Sequence, residues 1–406
     1  MRCVRLSSGE RPSSVRDGLL VPNGFDGMAA FPLPNGNVRL IRNHEMRDSA
    51  ANGVPIGEPW YDRRASGGTT SMEISVTGTG DDLAVEIVDE FVSLAGTLIN
   101  CAGGPTPWGS WLSCEETTDG PESGYDRAHG YVFEVPVNAT GPVDPVPLRA
   151  MGRFTHEAVA VDPATGIVYQ TEDRWYHPGS APGAGFYRFI PDTPGVLGNG
   201  GRLQMMAVSG QAGYLTARGQ TQGAVLPVHW VDIADPDPRE AEDEPRAVFY
   251  QGMAEGGARF ARLEGAFAGD SGIYIVSTNG GDALSGQVFH YRPTSAEAGE
   301  LRLVFESPSA DILDSPDNIV VSPRGGLVLC EDGSDDQFIR GLDRQGKIVN
   351  LVRAPDTGNG RDEFAGSCFS PDGRVLFFNA QGSTSYGGSR ASATYALWGP
   401  WEDGPL

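Results

Sequence analysis

A thiol and two carboxylates stand side by side at residues 114–116, in the stretch GSWLSCEE that spans residues 109–116. Residues 109–113 read as a β-strand, so Cys114, Glu115 and Glu116 would lie at its end. Carboxylates prefer hard cations such as Ca²⁺ or Mg²⁺, whereas a thiolate prefers a softer transition ion such as iron. The stretch therefore predicts a mixed metal site, with a buried structural cysteine as the alternative for Cys114.

One pattern recurs along the chain: an acidic residue, an apolar strand, a tight turn rich in Asp, Ser, Pro and Gly, and a second apolar strand with a polar or acidic end. Four clear copies span residues 156–173, 263–280, 316–332 and 363–381, and two looser copies span residues 25–45 and 100–116. Turn residues between alternating apolar segments are typical of β-hairpins. The sequence therefore predicts six hairpins of one design.

Six such hairpins, together with 56 glycines and 30 prolines, favour an all-β fold: a six-bladed β-propeller with irregular blades and long inserted loops. We expect one domain over residues 1–406, a flexible N-terminal tail over 1–20 and a surface loop over 232–247. The uneven spacing excludes a strict WD40 or kelch repeat, and the long interval after residue 173 must hold further strands or an insertion. A pair of β-sandwiches is the structural alternative.

In a propeller the innermost strand of each blade lines a central channel, so the first residues of the hairpins would surround one axis. These residues are Asp26, Asn100, Glu157, Glu264, Asp317 and Glu363. The hairpin ends would bring Glu45, Glu115, Glu116, Glu172, Asp173, Glu331 and Asp332 near the same face. Converging carboxylates repel one another by several kcal/mol in a partly dry site, so protons or cations must neutralise them. Multivalent metal ions would do so, although any single acid of this set could equally be structural or solvated.

Composition limits the functions open to the chain. The formal net charge is −23, which disfavours binding to nucleic acid or to anionic lipid. No apolar run is long enough for a membrane-spanning helix, and the N-terminus shows no secretory or twin-arginine signal. Five cysteines without a CxxC pair predict neither a disulfide framework nor a zinc knuckle. No phosphate-binding GxxxxGK[ST] loop or GxSxG elbow is present, and nothing indicates the oligomeric state.

The segment NCAGGPTPWGSWLSCEE, residues 100–116, resembles the signature of the PhoX alkaline phosphatase family. Further blocks similar to that family are LIRNHE, YDRRASGGTT, GRFTHEAVAVDP, ARLEGAF, SPDNIVVSPRG and EFAGSCFSPDGRVLFFNAQ. They follow the family's order between residues 25 and 381. The resemblance implies a six-bladed propeller with a phosphatase site at one mouth of its channel. It also implies a cluster of Fe³⁺ and Ca²⁺ ions and small phosphate esters as substrates, and members of the family are usually exported.

The resemblance also assigns roles to residues. Cys114 would bridge the iron ions, and Arg262 would hold the phosphate, with Arg340 as a second arginine. The other metal ligands would be Glu115, Glu116, Glu157, Glu264, Asp317 and Glu363. Supporting positions would be Asn43, His44, Asn100, His156, Glu172 and Asp173. The predicted function is metal-dependent phosphate-ester hydrolysis, and the alternatives are a calcium-dependent propeller lactonase or esterase and a non-catalytic binding scaffold.

Overall fold

The structure, a computed structural model, describes residues 1–354, 363–382, 390–401, 404 and 406. Strands dominate this part of the chain, and they begin with β1 (Arg2–Ser8). Two antiparallel sheets follow. The first contains β2 (Phe25–Pro32), β3 (Val38–His44), β4 (Gly67–Thr77) and β5 (Ala84–Thr97). The second contains β6 (Asn100–Pro105), β7 (Ser110–Glu115) and β8 (Val132–Pro136).

The next sheet has nine strands. In chain order they are β9 (His156–Val161), β10 (Val168–Glu172), β13 (Phe186–Pro191), β14 (Gly201–Val208), β15 (Val225–Asp232), β16 (Leu263–Gly269), β17 (Gly272–Ser277), β18 (Gln287–Pro293) and β19 (Ala298–Glu306). A separate hairpin consists of β11 (Tyr176–His177) and β12 (Ala181–Pro182). Strand β15 pairs with both β14 and β19, and so joins two groups of four strands edge to edge. The long interval after residue 173 thus holds extra strands, as expected.

Two four-stranded sheets complete the fold. One contains β20 (Pro316–Val321), β21 (Leu327–Glu331), β22 (Gln337–Leu342) and β23 (Ile348–Ala354). The other contains β24 (Phe364–Phe369), β25 (Val375–Ala380) and β26 (Ala393–Trp398), with β1 as its outermost strand. The predicted flexible tail is therefore wrong for residues 2–8, which pair with β26 and join the first strand of the chain to the last sheet.

Helical segments are short. The α-helix is α1 (Ala247–Ala254), and single 3₁₀ turns span Gly80–Asp82, Pro121–Ser123, Arg149–Met151, Leu197–Asn199 and Arg239–Ala241. The predicted surface loop over residues 232–247 mixes exposed and half-buried residues, and it packs Ile233 and Ala241 inward. None of the helices in the described residues is both long and apolar enough to cross a membrane.

Six strands form the inside of the molecule. β2, β6, β9, β16, β20 and β24 contact one another in that order, and β24 contacts β2 again. They surround a cavity of about 140 Å³ lined mainly by small and apolar residues, such as Ala102, Gly265 and Val320. The core fills the wedges between adjacent sheets: Leu40 and Met72 of the first sheet, for example, pack with Phe377 of the last.

The all-β fold, its propeller-like arrangement and the six hairpins are confirmed. The predicted six blades do not appear as six separate sheets, because four blade-like sheets stand beside one nine-stranded sheet. The physical reason is the single strand β15, whose two edges both find hydrogen-bonding partners. The sandwich alternative is also wrong, since the inner strands close into a ring.

Candidate metal centre

Each of the six inner strands carries a β-bulge near its start. In β2, Asp26 and Gly27 together oppose the single residue Asn43 of β3. The corresponding pairs in the other inner strands are Cys101–Ala102, Glu157–Ala158, Glu264–Gly265, Asp317–Asn318 and Gly366–Ser367. A bulge bends its strand and redirects a side chain. In five strands the first residue of the pair is an acid or the thiol, and in β24 it is Gly366.

The bulge side chains gather into one continuous cluster with acids from the strand ends. Four overlapping groups each bring their ligand atoms within 4.8 Å of one another. They are Asp26–Glu45–Cys101, Cys101–Glu116–Glu157, Glu157–Glu264–Asp317 and Asp317–Asp332–Glu363. Because neighbouring groups share Cys101, Glu157 or Asp317, the cluster spans the channel mouth without a break.

The strand ends contribute by a simple rule. Glu45, Glu116 and Asp332 each follow directly after the second strand of their hairpin. Glu363 comes from the other side, one residue before β24. Asp173 occupies the same position after β10 as Glu116 does after β7, and it lies beside Arg262. The centre therefore has an inner tier of bulge residues and an outer tier of strand-end residues.

Burial makes these carboxylates hard to ionise. Burial, reinforced by the Asp332 carboxylate, raises the pKa of Asp317 to about 7. Burial also raises the pKa of Glu116 to about 8, even though Arg47 opposes that shift. For Glu157, burial and the nearby carboxylates of Glu264 and Asp317 raise the pKa well above its usual range. The cluster therefore requires protons or cations at neutral pH.

The donor set fits multivalent cations. Among the residues that the structure describes, Asp26 Oδ1 and Glu157 Oε2 are buried without a hydrogen-bond partner, which is unusual for carboxylate oxygens. Cys101 Sγ lies between them, at 3.1 Å from Glu157 Oε1 and 3.7 Å from Asp26 Oδ2. Buried carboxylate oxygens with free lone pairs beside a thiol suit a mixture of hard and softer metal ions.

Two arginines border the cluster. Arg262 binds Asp173 through Nε and Nη2, at 3.0–3.1 Å, and it also contacts Glu264. Its φ of +45° lies in the left-handed region, which non-glycine residues adopt rarely. Arg47 contacts Glu45 and lies 3.1 Å from Glu116. Sequence reasoning missed Arg47, although it follows the end of the NHE segment by two residues.

The thiol of the centre is Cys101, which corrects the assignment of Cys114 and of Asn100. Cys114 lies on β7 opposite the bulge and is fully buried with Leu112 and Val132 in an apolar cluster. Asn100 also points away from the centre, and its Nδ2 donates to Ser113 Oγ at 2.8 Å. The hairpin alignment was displaced by one residue here, and such a displacement exchanges the two faces of a strand.

Glu115 and Glu172 are likewise structural rather than metal-facing. Glu115 accepts hydrogen bonds from the N–H groups of Leu98, Gly130 and Tyr131 at 2.8–3.1 Å, and it pairs with His129. Glu172 Oε2 accepts from Gly185 N–H at 2.8 Å and from the Tyr187 hydroxyl at 2.9 Å. In both hairpins the first acid holds a loop, whereas the next one faces the channel mouth.

Arg340 is not at the centre. It lies on β22, the third strand of its sheet, where Nε donates to Glu331 Oε1 at 2.7 Å. Its Nη1 donates to Asn350, and its guanidinium lies 3.7 Å from the Phe338 ring. The structure therefore places Arg340 inside a blade and does not bring it together with the carboxylate cluster, where it is predicted to contact phosphate.

Three predicted supporting residues hold the frame. Asn43 Nδ2 donates to the carbonyl oxygens of Cys101 and Ala102, at 3.0 and 2.7 Å, and so fixes the bulge of β6. Burial lowers the pKa of His44 well below its usual range and lowers that of His156 to about 3. Burial thus favours the neutral form of both rings.

A ring of bulged strands with a carboxylate–thiol cluster at its mouth defines a propeller-like protein with candidate metal-binding groups. The chain belongs to the alkaline phosphatase PhoX family, since the model of that family matches residues 7–383. It is therefore a phosphoric-ester hydrolase. No curated protein sequence is similar enough to this chain to count as a match.

Three solved structures align with this chain to different degrees. The structure of Pseudomonas fluorescens PhoX in complex with vanadate, a transition state analogue, aligns with a TM-score of 0.73 at 17% identity, covering 98% of this chain and 94% of that one. A luciferin-regenerating enzyme aligns with a TM-score of 0.48 at 10% identity, covering 93% and 92%. Streptogramin B lyase aligns with a TM-score of 0.39 at 12% identity, covering 96% and 97%.

Proposed function

We propose that this protein hydrolyses small phosphate esters with a cluster of Ca²⁺ and Fe³⁺ ions at the mouth of its channel. The observation that carries the proposal is the unbroken set of overlapping carboxylate–thiol groups at the channel mouth. We also interpret the nine-stranded sheet as two blades that share β15, which gives a six-bladed propeller. The six bulged inner strands support this interpretation, since each would belong to one blade.

The four ligand groups would bind different metal ions. The two groups that contain Cys101 would hold iron, because a thiolate prefers a transition ion. The two all-oxygen groups, which meet at Asp317, would hold calcium. When bound, these cations would neutralise the carboxylates, polarise the phosphoryl oxygens and lower the pKa of water that attacks phosphorus.

Arg262 would orient the substrate. Asp173 holds its guanidinium through three hydrogen bonds and so fixes its plane beside Glu264. Because Asp173 takes the Nε–Nη2 edge, the phosphate would meet the guanidinium from its Nη1 side, and a guanidinium held in place loses little conformational entropy on binding. Glu264, a member of the third ligand group, would bind metal rather than act as a base. Without cations, the many carboxylates would repel a phosphate ester.

Paired cysteine variants test the proposal. Cys101→Ala removes the thiol of the centre, so we expect loss of bound iron and at least a hundredfold lower kcat/KM on a chromogenic phosphate ester. Cys114→Ala is the matched control, because it removes an equally buried thiol from the apolar core. We expect it to keep its iron and activity and to lose about 1 kcal/mol of stability.

Elemental analysis, activity and thermal melting of both variants decide the matter. If Cys101→Ala folds and keeps both iron and activity, the assignment of the thiol is wrong. Wild-type protein that carries calcium and iron but hydrolyses a lactone instead of a phosphate ester would support the lactonase alternative. Protein with calcium, no iron and no activity on either substrate would indicate a binding scaffold.

A further inference from the structure

Residues 174–185 form a short hairpin at the channel mouth, which we call the mouth hairpin. Its strands are β11 and β12, and each of its ends is hydrogen-bonded to a residue that neighbours the centre. At its start, the Arg174 carbonyl oxygen accepts a hydrogen bond from the Arg262 N–H at 3.0 Å. At its end, the Gly185 N–H donates to Glu172 Oε2 at 2.8 Å. The mouth hairpin is therefore held beside the arginine that faces the centre.

Trp175 is the exposed tryptophan of the mouth hairpin and is 46% accessible to solvent. An exposed aromatic side chain is ordinary on a protein surface, but this one contacts the site. Its ring centroid lies 4.9 Å from Cζ of Arg262. His177 stacks on it, with ring centroids 5.4 Å apart and planes only 8° from parallel. Two nearly parallel rings thus adjoin the position where phosphate would bind.

The structure assigns a substrate class to this surface: Trp175 and His177 form a stacking platform for a planar aromatic group of the ester, as in aryl phosphates or nucleoside monophosphates. The inference rests on the proposed phosphatase function and deepens it. With the phosphate on Arg262, the organic substituent can extend onto the solvent-exposed part of the Trp175–His177 pair.

A planar ring suits the platform better than a flexible group does. Aromatic rings attract one another in offset stacks with centroids about 4.5–7 Å apart, and the adjacent guanidinium already occupies part of the indole face. Stacking of a base on an aromatic side chain strengthens binding on the order of tenfold or more. An alkyl or sugar group covers less of a flat surface and loses more conformational freedom when it is held there.

Two esters that differ only in the base test the inference. Adenosine 5′-monophosphate and ribose 5-phosphate share the same phosphate linkage, so the ratio of their kcat/KM values reports on contact with the base. We expect the metal-loaded wild-type enzyme to favour adenosine 5′-monophosphate. Trp175→Ala should reduce this ratio about tenfold, whereas Trp175→Phe should retain most of it.

Trp60→Ala is the control, because Trp60 is similarly exposed at 40% and has no contact with Arg262 among the described residues. We expect it to leave the ratio unchanged. A ratio that is insensitive to Trp175→Ala, or a wild-type enzyme without preference, overturns the platform alone. A wild-type enzyme that hydrolyses neither ester overturns the proposed function and the platform with it. Both esters are measured on one preparation, so partial loss of folded protein cancels in the ratio.

Discussion

Glu115 and Glu116 are adjacent in sequence but act on different parts of the molecule. Side chains alternate along a strand, so consecutive acids at a strand end point in opposite directions. Glu115 turns outward and holds the loop around His129, whereas Glu116 joins Cys101 and Glu157 at the centre. The same alternation holds for Glu172 and Asp173 in the segment TED and for Glu331 and Asp332 in the segment CED. The outward acid thus fixes the backbone from which the inward acid projects.

The contact between His129 and Glu115 makes the stability of the fold depend on pH. Burial lowers the pKa of His129, but Glu115 at 2.6 Å and Asp62 at 3.6 Å outweigh it and raise the pKa to about 9. A histidine whose pKa is higher in the folded state stabilises fully below about pH 6.5 and loses that contribution as the pH rises through about 9. The contribution amounts to about 3 kcal/mol at most.

His129→Gln should remove this effect. We compare the free energy of unfolding of the wild type with that of the variant at two pH values. The difference between the two proteins should be larger at pH 6 than at pH 9.5, by up to about 3 kcal/mol. Urea unfolding of both proteins across this range measures the difference, in which other titrating groups cancel. A constant difference between the two proteins would contradict the assignment.

Substitution with lysine should have different effects at Arg262 and at Arg340: loss of activity at the first and loss of stability at the second. Lysine at 262 keeps the charge but loses the fork held by Asp173, so we expect kcat/KM for a phosphate ester to fall about 10–100-fold. Arg340→Lys breaks the contacts with Glu331 and Asn350 inside a blade, and it should lower stability while the activity of the folded fraction stays normal. Steady-state kinetics and thermal melting separate the two results. Equal kinetic losses in both variants would refute the placement of Arg340.

At the scale of elements, the hairpins could be predicted and the bulges could not. Alternating apolar residues and tight turns determine where two strands meet, which is why all six hairpins lie where their sequences indicate. A bulge inserts one residue into one strand, and no composition signal marks that residue. Hairpin alignment therefore indicates Asn100 where the structure brings in Cys101, whereas it places Glu157, Glu264 and Asp317, which do converge, correctly. Long-range pairing, such as that of β15 with β19, is equally invisible in local sequence.

Gly27 shows how closely the bulged strands approach. A Cβ at this position would lie 2.6 Å from Ala102 Cα and 3.0 Å from the Cys101 carbonyl oxygen, both of them backbone atoms. Gly27→Ala should therefore push β2 away from β6 and destabilise the protein by about 2–4 kcal/mol. Because the displaced backbone carries Asp26 and Cys101, activity should fall as well.

Gly141→Ala is the matched control, since an added Cβ there has no neighbour within 4 Å among the described residues. Its stability should stay within about 0.5 kcal/mol of the wild type. Denaturant unfolding and phosphatase assays of both variants provide the measurement. A Gly27→Ala protein as stable as the Gly141→Ala protein would show that the inner strands can move apart freely.

At the scale of the whole molecule, the buried carboxylates of the centre lower the stability of the fold unless protons or cations neutralise them. Glu116 and Asp317 have pKa values raised by burial to about 8 and about 7, from ordinary values of 4.5 and 3.8. An acid that holds its proton more tightly when folded makes folding less favourable as the pH rises from its unfolded pKa to its folded pKa. Chelator-treated protein should therefore lose stability between about pH 4 and pH 8.

Calorimetry with and without metal tests this expectation. We expect added Ca²⁺ and Fe³⁺ to raise the melting temperature far more at pH 8 than at pH 5, because cations replace the missing protons. Glu116→Gln should raise the melting temperature of the metal-free protein at pH 8, whereas Glu122→Gln, on an exposed turn, should not. Metal-free protein whose stability rises steadily between pH 5 and pH 8 would refute the electrostatic account.

Gly366 leaves the ring of inner side chains incomplete. Its φ is +58°, and a Cβ there would lie 2.3 Å from the Asp26 carbonyl oxygen, so β24 cannot accept a larger residue at this place. The six inner strands therefore do not present equivalent side chains to the centre. A tetrahedral phosphorus that enters such an asymmetric enclosure meets a different neighbour on every side. The fold thus makes the centre handed, and chemically equivalent oxygens of one phosphate group become distinguishable within it.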